Sequence, residues 1–92
     1  LMNDPFVIEQ SKLWGKRIAE LADKSMEDKI LQMYLEAFAR VPTREEITDA
    51  VEFMQIQGQA YNIPEENLGT DERLWADLAH VLINTKPFIY LN

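Results

Sequence analysis

Residues 39–46 read Ala39-Arg40-Val41-Pro42-Thr43-Arg44-Glu45-Glu46, and they require one helix to stop and another to start within a single short corner. Pro42 disfavours helical geometry at the residue before it, so a helix arriving from the N-terminal side ends near Ala39. Thr43 followed three positions later by Glu46 has the form of a capping box, which opens the next helix. Upstream, Ile30, Leu31, Tyr34, Leu35 and Phe38 recur at helical spacing, with Met33 and Ala37 widening the face. Downstream, Ile47, Ala50, Val51 and Met54 form a second stripe, with Phe53 beside it. Apolar residues three and four apart are the mark of an amphipathic helix, so both flanks of the corner are helical.

Working outward, Ser25 and Asp28 sketch a weaker capping box for the upstream helix. Before it, Asp4-Pro5 is an N-cap acceptor followed by proline at the first helical position, where a missing N–H costs nothing. Val7, Trp14, Ile18 and Leu21, with Phe6 and Leu13 widening the stripe, carry that first helix to about Ala22. On the other side, Gly58 is a natural stop for the third helix. Residues 58–70 are then expected to form the longest irregular stretch, either packed on its own Tyr61, Ile63 and Leu68 or mobile. A fourth helix starts at Thr70 or Asp71, with Leu74, Trp75, Leu78, Ala79, Val81 and Leu82 facing inward, and ends near Asn84. The tail Pro87-Phe88-Ile89-Tyr90-Leu91 is too apolar to stand in water and is expected to dock on the helices. The resulting expectation is all-α: residues 1–92 as a compact bundle of four main helices, with a long loop before the last and a docked tail.

A chain of 92 residues, 47% apolar, supports one core and one domain. Nine basic against sixteen acidic residues leave a net charge of −7, which opposes polyanionic partners such as nucleic acid and anionic membrane surfaces. The corner invites comparison with a helix-turn-helix, but its second helix carries one Arg against four carboxylates before Gln57, and phosphate repels such a face. There is no cysteine, so disulfides, thiolate metal sites and cysteine nucleophiles are excluded within these residues. No apolar run approaches the ~20 residues that span a bilayer, so no membrane insertion is expected. The sequence begins at Leu1 rather than Met, so the chain is expected to be a fragment or C-terminal module of a larger protein.

No residue set stands out as catalytic, cofactor-binding or metal-ligating. His80 is the single histidine, with no second histidine four residues on and no nucleophile in a recognisable motif beside it. It falls at the edge of the fourth apolar stripe, which suits a structural or solvent-facing role. Glu45, Glu46, Asp49 and Glu52 line the wet side of the third helix and read as a solvated face rather than as the divergent pair that acid–base chemistry requires. Asn62, Glu65, Glu66, Asn67, Asp71 and Glu72 offer oxygens to calcium, but their spacing lacks the alternating acidic positions and central Gly of an EF-hand. Arg40 meets the negative end of the second helix and is within reach of Glu46, which would set the angle of the corner. Trp14, Trp75, Phe38 and Phe53 are assigned to the core.

Three stretches together carry a resemblance: Leu1-Met2-Asn3-Asp4-Pro5-Phe6-Val7, then Arg40-Val41-Pro42-Thr43 with Glu46, then Trp75-Ala76-Asp77-Leu78 through Asn84 to Phe88-Ile89-Tyr90-Leu91. In this order they resemble the C-terminal part of a planctomycete-type family, domain-of-unknown-function family 1553. Two positions depart from its pattern: Ala39 stands where the family usually has Gly, and Pro87 where it commonly has an acidic residue. The resemblance implies a helical segment closing a large exported multidomain protein, and it transfers no catalytic residue.

The leading expectation is therefore a non-catalytic helical module, structural or interacting, whose partners are the upstream domains of its own parent chain. One rival is part of an enzyme active site for polysaccharide or redox chemistry, which requires Arg40, Glu46, Asp77 and His80 to converge. The other is a calcium- or carbohydrate-binding module acting through residues 58–70.

Overall fold

A computed structural model describes residues 3–85 of the chain, and it is an all-α bundle. The elements are α1 (Pro5–Ala19), α2 (Met26–Phe38), α3 (Arg44–Ala60), a short 3-10 helix (Glu65–Thr70) and α4 (Glu72–Thr85). Among the described residues no helix is long and apolar enough to cross a membrane. The expected docking of residues 87–91 lies outside the described residues.

Helix starts follow the local capping chemistry. The Asp4 carboxylate accepts from the Val7 amide at 2.9 Å, and the Ser25 hydroxyl from that of Asp28 at 3.1 Å. At α3 both arms of the capping box close: Glu46 N–H donates to Thr43 Oγ1 and Thr43 N–H donates to Glu46 Oε1. Asp71 caps α4, accepting from the Arg73 and Leu74 amides, so α4 begins one residue after the expected start.

Helix ends depart more from expectation. Gly58 does not stop α3. It is buried within the helix, where a Cβ would stand 2.3 Å from Leu68 Cδ2, so the missing side chain is what lets the 3-10 helix pack there. Asn62 ends the helix instead. With φ of 59° it takes the left-handed conformation, while its N–H donates to the Gln59 carbonyl and the Ile63 N–H to that of Gly58. That is a Schellman closure with Asn in the place usually held by Gly. The long connection before α4 is thus present but largely ordered as the 3-10 helix. Similarly, α1 ends at Ala19 rather than near Ala22, the Leu21 N–H tightening back onto the Ile18 carbonyl at 3.2 Å. Ala39 closes α2 in the left-handed region, at φ 56°.

The core holds Ile18, Ile30, Met33, Met54, Leu74 and Trp75, all essentially without exposure. The most extensive helix pairing is α1 with α4; the expected stripe of Val7, Trp14, Ile18 and Leu21 is buried or packs on the core, but Phe6 and Leu13, expected to widen it, do not. Phe6 and Leu13 are 72% and 54% exposed, whereas Val7, Ser11, Gly15 and Ile18 are buried. The cause is distance. A Cβ on Gly15 would lie 2.4 Å from the Ala76 amide nitrogen, so the two backbones meet where only small residues fit. Ser11, inside this seam, satisfies its hydroxyl on the Val7 carbonyl at 2.8 Å. Leu35, expected on the inner face of α2, is also exposed. Trp75 is fully buried; Trp14, Phe38 and Phe53 pack on the core from its edge.

Candidate functional site

Two cationic side chains organise the molecule, and they do so by opposite means. Lys29 is only 2% exposed, and among the described residues no carboxylate shares its hydrogen bonds. Its ammonium donates to the Ala19 carbonyl at 3.0 Å and to that of Gly69 at 2.7 Å, closing the end of α1 and the 3-10 helix together. Gly69 O also accepts from Trp75 Nε1 at 2.9 Å, using its second lone pair. The ammonium lies 5.9 Å from the Trp75 ring centroid. Burial pushes the Lys29 pKa below its ordinary value, and the carbonyls hold the charge that burial opposes.

Arg40 works at the surface. Its guanidinium meets Glu46 in a two-pronged pair, Nη1 to Oε1 at 2.7 Å and Nη2 to Oε2 at 2.8 Å. It sits 5.6 Å from the Tyr34 ring and 5.5 Å from the Phe38 ring, which are themselves 5.3 Å apart. The expected reach of Arg40 to the capping box is observed, and the stacked rings add a second hold on the corner.

Glu36 is a third junction. It takes two bonds from Arg17 (2.7 and 3.0 Å), one from Trp14 Nε1 (2.9 Å) and one from Gln32 (2.9 Å), linking α1 to α2. Arg17 holds the Glu36 carboxyl at a pKa of about 2, and Arg40 does the same for Glu46. A proton-transfer group works best with a pKa near the operating pH. Locked as anions, these two carboxylates orient side chains and do not shuttle protons near neutrality.

Between α1, α2 and α4 these junctions frame two hollows that share Glu36 and Ala37, one of about 490 Å³ and one of about 810 Å³. Leu13, Trp14 and Ile83 give the smaller an apolar wall, and Phe38, Val81 and Leu82 the larger. Thr85, the last residue of α4, stands at the larger.

The four residues on which the enzymatic rival depends do not share one cleft. Arg40 and Glu46 pair at the α2–α3 corner. Asp77 lines a different hollow, beside Lys12 and Arg73, and accepts from Tyr61 Oη at 2.7 Å and Gln57 at 3.0 Å. Arg73 covers the Tyr61 ring at 4.9 Å, and the bond to Asp77 raises the Tyr61 pKa. His80 is half-buried and lines neither hollow; its backbone carbonyl accepts from Asn84. Glu45, Asp49 and Glu52 are exposed as expected, while Glu46 leaves that face for Arg40. In the 58–70 region, Asn62, Glu65, Glu66 and Asn67 are exposed, and Glu72 begins α4. Asp71 is occupied by the α4 cap and by Arg73 at 3.1 Å. Among the described residues no group of three or more His, Asp or Glu side chains is placed to hold a metal ion.

Sequence reasoning missed Lys29 and Glu36. Lys29 had a signal: it sits three after Met26 and four before Met33, a charge inside an apolar stripe. Glu36 had none, because Arg17 and Trp14, which hold it across the helices, lie on α1. Comparison of the chain with protein-family models, with curated proteins and with solved structures finds no match.

Proposed function

We propose that the chain is a non-catalytic helical module that packs against the other domains of a larger, exported protein, as the resemblance to family 1553 implies. The supporting observation is the outer face of α1. Phe6 and Leu13, seven residues apart and hence on one side of the helix, stand 72% and 54% exposed, and Leu13 lines the hollow that Trp14 and Ile83 wall. An apolar face of this kind is the usual mark of a contact with another protein. The ionisable side chains lend it no competing chemistry, since Lys29, Arg17, Glu36, Arg40 and Glu46 are all consumed in holding helices together. The excess of acidic residues favours a neutral or basic opposing surface.

The test is Phe6→Ser with Leu13→Ser, both exposed and therefore tolerable to the fold. The polypeptide encoded upstream of Leu1 in the same reading frame is produced separately and mixed with each form. Co-elution with the parent sequence and its loss in the double variant are expected, with unchanged circular dichroism. Equal association of both forms, or of neither, rejects the reading.

A further inference from the structure

We propose that residues 64–70 form a strap that lifts off the seam between α3 and α4 as a unit while the four helices stay packed, with Leu68 as its plug and the Gly69 carbonyl as its catch. This is independent of the outer-face contact proposed above. The first observation is that both flanks are anchored without the strap. Before it, the Asn62 and Ile63 amides close α3 on the Gln59 and Gly58 carbonyls. After it, the Asp71 carboxylate caps α4 through the Arg73 and Leu74 amides. Neither helix end is lost when the residues between them move. The strap also carries its own local bonds: Asn67 N–H donates to the Pro64 carbonyl at 2.9 Å, and the Thr70 hydroxyl to that of Asn67 at 3.4 Å.

The second observation is how little holds the strap down. Pro64, Glu65, Glu66, Asn67 and Thr70 are exposed, and Leu68 is its one buried side chain, at 5% exposure. Leu68 fills the notch that Gly58 leaves, where Leu74 also comes close. Among the described residues, the hydrogen bonds from the body to the strap meet on a single atom, Gly69 O, which accepts from Lys29 Nζ at 2.7 Å and from Trp75 Nε1 at 2.9 Å. Segments with few buried apolar contacts are the ones that open locally, before the fold as a whole. A hollow of about 170 Å³, walled by Gln55, Gln59, Ile63 and Glu65, already brings solvent to the edge of Leu68. Lifting leaves Lys29 on the Ala19 carbonyl and uncovers Gly58, Leu74 and the indole edge of Trp75, an apolar seam beside an ammonium.

The Trp75 indole N–H reads the catch directly, because its acceptor is the Gly69 carbonyl and its ring is otherwise fully buried. Hydrogen exchange of the full chain, followed by NMR in water and in low urea, compares it with the backbone amides of Leu78 and Ala79 in the middle of α4. Relative to freely exchanging model groups, the indole is expected to be protected at least about tenfold less than those amides, with little dependence on urea, since a small opening exposes little surface. Equal protection and equal urea dependence would mean that the strap opens only with the whole fold, and overturn the proposal. Lys29→Met should speed the indole exchange on the order of tenfold by removing a charged donor from the catch, and Leu68→Ala should speed it by loosening the plug. Both variants should keep their helical circular dichroism. An indole rate unchanged in both rejects the plug and the catch, and loss of helix in both makes residues 64–70 part of the body rather than a strap upon it.

Discussion

Lys29 and Arg40 each tie helices at an angle, one in the dark of the core and one in water. Lys29 has traded its hydration for two carbonyls and a ring, so each bond it makes replaces a lost one. Arg40 keeps its hydration and adds a carboxylate and two rings. The buried tie should therefore be costly to remove and indifferent to salt, the exposed one cheap to remove and sensitive to the medium.

The sharpest way to break this contrast is Lys29→Ala. Removing the ammonium strips the Ala19 carbonyl of its partner and opens a cavity beside Trp75, so a loss of about 3 kcal/mol is expected. Lys29→Met, which keeps the stem, separates the two contributions: a loss much smaller than that of alanine assigns the tie to packing. Urea denaturation read by Trp fluorescence measures both. An alanine variant within about 0.5 kcal/mol of the parent would erase the distinction between core and surface ties.

Next in size is Gly15→Ala, which tests whether the buried side of the molecule depends on backbone approach. Its methyl group would meet the Ala76 backbone, and separating α1 from α4 should cost about 2 kcal/mol, although alanine is the better helix former. A stabilised variant would mean that the seam is looser than its geometry. On the corner side, Thr43→Ala removes one arm of the capping box and should cost about 1 kcal/mol. Ala39→Gly should instead add roughly 0.5–1 kcal/mol, because a left-handed φ of 56° strains alanine and suits glycine.

The same division governs what the sequence made legible. Asp4-Pro5, Ser25 and Thr43 announced their helices because a cap is chemistry among near neighbours. The stripe of α4 was legible because one helix face suffices to define it. The face of α1 was legible in part: Val7 and Ile18 are buried as read. Phe6 and Leu13, however, outweigh Ser11 and Gly15 on any hydrophobic scale, yet the neighbouring helix comes so close at Gly15 that only small residues fit. Gly58 was misleading for the same reason, its missing side chain serving Leu68 rather than a turn. The end of α3 was carried by Asn62, a residue that tolerates the left-handed region without advertising it. Of the polar junctions, Arg40 with Glu46 spans only the corner and was foreseen, whereas Glu36 with Arg17 and Lys29 with Gly69 join distant segments.

The smallest effect belongs to the surface ties, and its sign is fixed by protons. Glu36 and Glu46 have folded-state pKa values of about 2, below the 4.5 of the free side chain. As pH falls, the unfolded chain therefore binds these protons first, and the stability they supply is whole above about 4.5 and gone by about 2. Glu46→Gln should flatten the loss in that window and leave stability at higher pH slightly lower, since the pair with Arg40 is weakened at every pH. Added salt should mimic part of the substitution by screening the exposed corner, and should leave the Lys29→Ala difference untouched. Equal salt dependence of the two variants would show that water reaches Lys29 as freely as it reaches Arg40, and the contrast between a dry tie and a wet one would fail.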